Sequence, residues 1–579
     1  MFISGRIICV VSMVQHLREE LLVIQLAESL QQGEIIMLTI SDFQNLRFYE
    51  GVVMQNPHRW ESKRPWSVVT FFQLRKARTI FPCIDMPMFK ASMNLCIKHL
   101  KNTYARSNTQ IESQSETGEF FETCFQRTPK MSTYLYAFAV YDQMHSIEVS
   151  KDEKNMLPEI EIIFSEQMGK EAPNWMKTET VRALNFMKNF TGYAYPLSKL
   201  TLFSASLPVQ GMENFGLILL NEQWVAYPMY PVAHTILAHE IVHQWVGNIV
   251  TIDGWEDLCL QEGLDTYIGY VITEGLSKGP NKLKELQEKR LQAIESESRT
   301  RTPIIGEFQT YEDVSALRCF DKPVLFFEML ADGFGPDVVA KFTRSLIKGY
   351  AFKNVKFSVW QQLLSEAAGT EIAGKFLKEY FTRPGIPILR ARYKDDKITV
   401  QQTVAVEARE KNVNNTVLTE SPFVIPITAS HGPYNPHSVL LINDTEQSFP
   451  INDSQLMILD PDSKTYAIII YEAEMYARLL HCAVKDSCKD IDKERMGHIL
   501  KDFCWALLND YLPVSNSGPN SIKLWKEITR LISSANLVQG TCACCMDKKI
   551  QKSGEVFCKW HWKDRCEGIQ LAKELQKAA

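Results

Sequence analysis
The segment His239-Glu240-Ile241-Val242-His243 places two imidazoles four residues apart, with a carboxylate beside the first. Apolar residues around it, Ile236, Leu237, Ile241, Val242, Trp245 and Val246, recur at helical spacing and predict a helix over residues 232–248. Residues four apart on a helix stand one above the other, about 5–6 Å between Cβ atoms. Two imidazoles so placed can meet one small tetrahedral cation, and Glu240 then falls where it can take a proton from water instead of ligating. A third ligand must come from elsewhere. Glu262 lies on the next helical pattern, residues 255–273, and can face back across an antiparallel helix pair. With 12 histidines in 579 residues, the paired-histidine pattern should arise by accident roughly 0.01–0.02 times in such a chain.

Positioning such a site takes a large folded body, and the composition supplies one. Of the 579 residues, 45% are hydrophobic and 23% charged, which excludes a disordered or fibrous chain. The length predicts several domains. A net charge of -5 argues against a nucleic-acid binder. No apolar run approaches the ~20 residues needed to span a bilayer. The nearest, Ile7 to Val14 behind Arg6, makes a poor signal peptide.

The apolar runs Ile35–Ile40, Trp66–Phe72 and Tyr134–Val140 predict a β-rich N-terminal domain over residues 1–157, with an incomplete start. The texture then changes to a strand (Ile160–Phe164), a helix (Trp175–Phe190), a strand (Leu200–Ser204) and the two ligand-bearing helices. Helical patterns continue to Tyr380, and Arg383-Pro384-Gly385 closes this unit, residues 158–385. Residues 386–474 alternate again (Ile398–Val404, Phe423–Thr428, Ser438–Ile442, Ala467–Ile470), as in a small β-sandwich. Residues 475–579 read as helical and cysteine-rich, so the expected class is multidomain α+β.

Fourteen cysteines include eight between Cys482 and Cys566. The cluster Cys542, Cys544, Cys545, Cys558 and Cys566, with His561 nearby, fits no common zinc finger. Structural zinc, disulfides in an oxidising compartment and free thiols all stay open for it. Four Asn-x-Ser/Thr sequons, at Asn189, Asn414, Asn443 and Asn452, lean toward secretion and a glycoprotein.

Further motifs accompany the histidine pair. Gln210-Gly211-Met212-Glu213-Asn214 stands upstream, and Gln244-Trp245-Val246-Gly247-Asn248 and Glu262-Gly263 follow. Tyr195–Leu200, Phe81–Pro87 and Thr128–Leu135 complete the set. Over roughly residues 35–475 the chain resembles the gluzincin zinc aminopeptidases, the family of membrane alanyl aminopeptidase (aminopeptidase N-like). The resemblance implies a thermolysin-like zinc peptidase domain between the N-terminal β domain and the β-sandwich, with a truncated α-helical C-terminal domain last. It implies one Zn2+ per chain, held by His239, His243 and Glu262, with Glu240 as general base. Glu213 would grip the substrate's free α-amino group, with Gln73 as a second polar anchor. Gln210, Gly211, Met212 and Asn214 would line the peptide's first residue. The partners implied are peptides with a free N-terminus, in an extracellular or membrane-associated setting; a cytoplasmic one and a homodimer stay open.

Two departures bear on activity. Gln210 stands where the family opens its motif with glycine, which puts a long side chain at the substrate's edge. Phe320 stands where the family carries the tyrosine whose hydroxyl stabilises the oxyanion, and Pro323 follows in place of a family glycine. Losing one oxyanion donor costs roughly 10²–10³ in kcat, about 2.7–4 kcal/mol. Tyr311 is an alternative source of that hydroxyl. The expectation is a zinc aminopeptidase with reduced turnover; the alternatives are an inactive, zinc-containing, peptide-binding relative and a hydrolase of small non-peptide substrates. The family's ends are longer, so a more open cleft is expected here.

Overall fold
The structure is a computed structural model. It describes residues 7–16, 21–45, 50–55, 65–165, 172–276, 279–300, 302–306, 317–405, 422–431, 438–451, 457–485, 493–508 and 511. The tail cysteines, Tyr311 and the sequons at Asn414 and Asn452 lie outside the described residues.

The N-terminal part is all β. Strands β1 (Val10–His16) and β2 (Leu21–Leu26) pair as an antiparallel hairpin. Next come β3 (Val52–Gln55), β4 (Ser67–Thr70), β5 (Cys96–Leu100), β6 (Tyr104–Ser107), β7 (Ile111–Thr117), β8 (Phe120–Phe125) and β9 (Phe138–Tyr141). They form a four-stranded sheet ordered β3-β4-β9-β6 and a three-stranded one ordered β5-β8-β7. The run Ile35–Ile40 is not a strand: it is exposed and pairs with no other described segment. Alternating apolar residues only suit a pleated surface; a strand also needs a partner for its backbone groups. The hairpin instead falls earlier, on the stretch weighed above as a signal peptide.

The central part is built on a mixed sheet. Its elements are β10 (His145–Val149), β11 (Glu159–Phe164), α1 (Ala172–Thr191), β12 (Lys199–Ala205), β13 (Gly211–Met212) and β14 (Leu217–Asn221), with strand order β10-β11-β12-β14-β13. The inner pairs β11–β12 and β12–β14 are parallel, and both outer pairs are antiparallel. All seven residues of β12 are buried, as a strand covered on both faces must be. Helices α2 (Glu222–Ala226), α3 (Pro231–Val242), α4 (Leu258–Thr273), α5 (Lys282–Thr300), α6 (Lys322–Phe334), α7 (Val338–Tyr350), α8 (Phe357–Ala368) and α9 (Glu371–Thr382) follow. Every residue of α4 except Val271 is buried, so this helix runs through the interior rather than over it.

The β-sandwich comprises β17 to β23 in chain order if the short pair β15 (Thr251–Ile252) and β16 (Asn354–Val355) is counted first. Its sheets are β21 (Glu446–Pro450), β18 (Lys397–Val404), β17 (Pro387–Lys394), β23 (Ile468–Tyr471), and β20 (Ser438–Ile442), β19 (Ile425–His431), β22 (Met457–Leu459). Helices α10 (Ala473–Lys485) and α11 (Lys493–Leu508) are the last elements among the described residues. The buried Arg290 of α5 fixes α11: its guanidinium donates to both carboxylate oxygens of Asp502 at 2.8–3.0 Å and to the Thr465 carbonyl at 2.7 Å. No helix among the described residues is long and apolar enough to cross a membrane.

Two disulfides are present among the described residues. Cys96–Cys124 joins β5 to β8, and Cys259–Cys319 joins α4 to the five-residue π-helix Leu317–Asp321 that precedes α6. The second closes a sequence separation of 60 residues beside the ligand-bearing helix. Replacing both of its cysteines with serine is expected to cost about 2–4 kcal/mol of stability, measurable by denaturant unfolding under oxidising conditions. An unchanged midpoint would contradict this.

Candidate metal centre
Helix α3 opens with Pro231, whose missing N–H costs nothing in the first turn. It was expected to reach residue 248 but ends at Val242, with His243 as its cap. Gln244 and Trp245 donate to the carbonyls three residues back, which tightens the last turn, and Gly247 at φ +116° turns the chain away. The pairing of the two imidazoles survives this early stop, because His243 N still donates to His239 O at 3.1 Å.

Helix α4 lies against α3 and α6, and a glycine lets it pack closely on α6. A Cβ on Gly263 would overlap the Pro323 ring at the start of α6, whereas one on Gly269 would meet the His239 backbone nitrogen at an ordinary 3.4 Å. Pro323 thus does not displace α6; it occupies the helix's first turn and packs where Gly263 has no side chain. Glu262 is thereby carried to the histidines. Its Oε2 lies 3.3 Å from His239 Nε2 and 3.4 Å from His243 Nε2, and the two Nε2 atoms are 2.9 Å apart.

One ligand atom from each of the three residues falls within a 4.8 Å group. Zinc bonds to nitrogen and oxygen are about 2.0–2.2 Å, so adjacent ligands of a tetrahedral site lie roughly 3.3–3.5 Å apart. Two of the three separations match that edge and the third is slightly shorter, so the donor set fits zinc with a fourth position over. Charge agrees. Although burial opposes it, Asp265 and Glu262 hold the His243 imidazole well above its ordinary pKa. Burial likewise opposes ionisation of Glu262, yet His243 and His239 bring it down to about 2. The cluster is arranged around positive charge, which a dication would supply.

The carboxylate that does not ligate lies beside the pair. Glu240 is buried, its Oε2 meets no hydrogen-bond partner, and burial and then Glu213 push its pKa well above the ordinary value. Gly211 backs onto it: a Cβ there would fall 2.5 Å from Glu240 Cδ. Gly211 and Met212 form the edge strand of the mixed sheet, so one side of their backbone has no neighbouring strand in that sheet. Met212 is buried completely, backbone included, as is Asn214, while Gly211 is half-buried. Gln210 is exposed beside them.

Glu213 is tied to the α3 region by two amides. Asn248 Nδ2 and Gln244 Nε2 donate to its carbonyl at 2.8 and 3.0 Å, and Gln244 also accepts from Gly216 N. Gln73 Nε2, 140 residues away in sequence, donates to Glu213 Oε1 at 3.3 Å. Burial, opposed by His243 and reinforced by Glu262, raises the Glu213 carboxyl to about 7. Phe320 sits on the π-helix with its ring 6.0 Å from that of His239, centroid to centroid. Sequence reasoning missed three contributors: Asp265 and Thr266, which contact the histidines, and the Cys259–Cys319 bridge beside Phe320.

The model of the peptidase family M1 domain matches residues 175–380, and that of the peptidase M1 N-terminal domain matches residues 8–135. The chain belongs to the peptidase M1 family. Its relatives within M1 include Matrix non-peptidase homolog 1 of Caenorhabditis elegans, 25% identical over 98% of this chain and 69% of that protein. Aminopeptidase M1-A of Oryza sativa subsp. japonica is 26% identical over 75% of this chain and 49% of its own length. Glutamyl aminopeptidase of Sus scrofa is 28% identical over 54% of this chain and 34% of its own. The matches thus span about half or less of these two aminopeptidases. M1 peptidases are zinc-dependent, in keeping with the donor set here.

Gly211 makes a direct test of how tightly this M1 centre is packed. Gly211→Ala is expected to force the Glu240 carboxylate aside by about 1 Å, since carbon contacts settle near 3.5 Å. A crystal structure of the variant, with zinc content measured in parallel, would check it; an unmoved Glu240 would refute it.

Proposed function
We propose that the protein is a zinc-dependent aminopeptidase of reduced turnover that removes the N-terminal residue from peptides. The observation that supports this best is the juxtaposition of the His239–His243–Glu262 triangle with the Glu213–Gln73 pair, joined through Gln244 and Asn248. Zinc, when bound, supplies a Lewis acid for the scissile carbonyl and for water. Glu240 takes the proton of the attacking water and passes it to the leaving amine. Glu213 and the amide oxygen of Gln73 hold the substrate's ammonium group, and that anchor leaves only the first peptide bond at the metal. Gly211, the half-buried residue of the edge strand, offers its backbone to an extended peptide.

Phe320 brings a ring without a donor to the place where an oxyanion hydroxyl is needed, so the reaction proceeds without that stabilisation. The resulting loss of about 10²–10³ is small against accelerations of at least ~10⁶, which leaves a slow enzyme. A second reading, a zinc-containing peptide binder without activity, is favoured by Phe320 itself and by the similarity to a relative whose name denies it peptidase activity. Hydrolysis of aminoacyl-coumarin substrates separates the two. Chelator-sensitive release is expected from the wild type and not from Glu240→Gln. Phe320→Tyr should raise kcat by about 10²–10³. No release by the wild type at matched zinc content would leave the binder reading.

We further propose an oxidising compartment, extracellular or at the membrane surface. Two disulfides and the exposed sequon positions Asn189 and Asn443 support it. Chain expressed through a secretory route is expected to gain mobility on enzymatic deglycosylation, and Asn443→Gln should remove part of that shift. No shift would count against it.

A further inference from the structure
Helix α4 carries more than the third ligand. Asp265 and Thr266 stand three and four residues after Glu262, on the same face of the helix. Asp265 Oδ2 lies 2.7 Å from His243 Nδ1, and Thr266 Oγ1 lies 3.4 Å from His239 Nδ1. Each histidine is therefore met on its far ring nitrogen by one of two consecutive residues of α4, while both Nε2 atoms face Glu262 from the near side.

A histidine that ligates through Nε2 keeps its proton on Nδ1, and that N–H needs an acceptor to hold the ring in place. His243 has the Val246 carbonyl at 3.2 Å as its hydrogen-bond partner, with Asp265 Oδ2 at 2.7 Å as an ion-pair partner beside it. His239 has the Thr266 hydroxyl oxygen. The placement of Asp265 is costly unless it serves this purpose. It is wholly inaccessible to solvent, and neither carboxylate oxygen makes a hydrogen bond, Oδ2 meeting His243 Nδ1 as an ion pair. Among the described ion pairs it faces His243 and no lysine or arginine. An unpaired buried carboxylate is strongly disfavoured, so this one is retained against a centre that is positive.

We propose that Asp265 and Thr266 are positioning residues which set the tautomer and orientation of His243 and His239, so that α4 supplies both the third zinc ligand and the supports of the other two. This rests on the zinc reading of the triangle. Loss of such a support lowers metal affinity by about 10–100-fold in metalloproteins generally.

The test is zinc affinity of the full chain, measured by competition with a chromogenic chelator, beside the melting temperature of the metal-free chain. Asp265→Asn is expected to weaken zinc binding about tenfold, Asp265→Ala up to about 100-fold and Thr266→Val a few-fold, with metal-free melting unchanged. Zinc affinity within about twofold of wild type in the Asp265 variants would overturn the proposal. So would a loss matched by an equal loss of metal-free stability, which would assign Asp265 to packing. Should Asp265→Ala not fold, Asp265→Asn decides. A wild type that binds no zinc would be a different failure, that of the triangle itself.

Discussion
The close packing of two buried helices governs the rest of this molecule. Two histidines one turn apart make no metal site until a third ligand reaches them, and that ligand sits on another helix. The helix that carries it, α4, is seated between α3 and α6, and it presents glycine where it meets Pro323 of α6. A side chain at Gly263 would overlap the Pro323 ring and shift α4, and Glu262 with it, against α6. The metal centre is thus a product of backbone proximity in the core, where interiors are packed at crystal-like density and yield little.

Proximity concentrates acid groups. Glu213, Glu240, Glu262 and Asp265 are all buried near the two imidazoles, and burial raises three of the four above their ordinary values. Glu262 alone is lowered, because it faces both rings. Neighbouring carboxylates in different surroundings are a means of dividing roles: one to bind a cation, one to move a proton, one to hold an ammonium group.

Much of this was legible in the chain itself, and the reasons differ by residue. His239, Glu240 and His243 could be read because helical spacing encodes which side chains share a face. Glu262 needed only one further helix. Glu213 and Gln73 are 140 residues apart and could be named only through the resemblance to a family, since no local pattern joins a strand edge to a distant turn. Asp265 and Thr266 escaped notice because their spacing has no meaning until α4 packs on α3. The disulfides escaped for a similar reason: pairing depends on which strands and helices become neighbours, and the cysteines that drew attention lie in the tail. The misplaced strand at Ile35–Ile40 and the overlong helix at residues 232–248 show the limit of periodicity. It reports which residues suit a buried face and not where hydrogen-bonded partners or a left-handed glycine will end an element.

The Arg290–Asp502 pair has a bearing on how far the chain can be shortened. The guanidinium lies on a helix of the peptidase region but finds its counter-charge on α11, beyond the β-sandwich. Proteolytic trimming or splicing that removed α11 would strand a solvent-shielded cation inside the neighbouring unit. Helix α11 is therefore an integral lock on the body that carries the candidate metal centre, and an excised peptidase module would leave the Arg290 charge without its counter-ion.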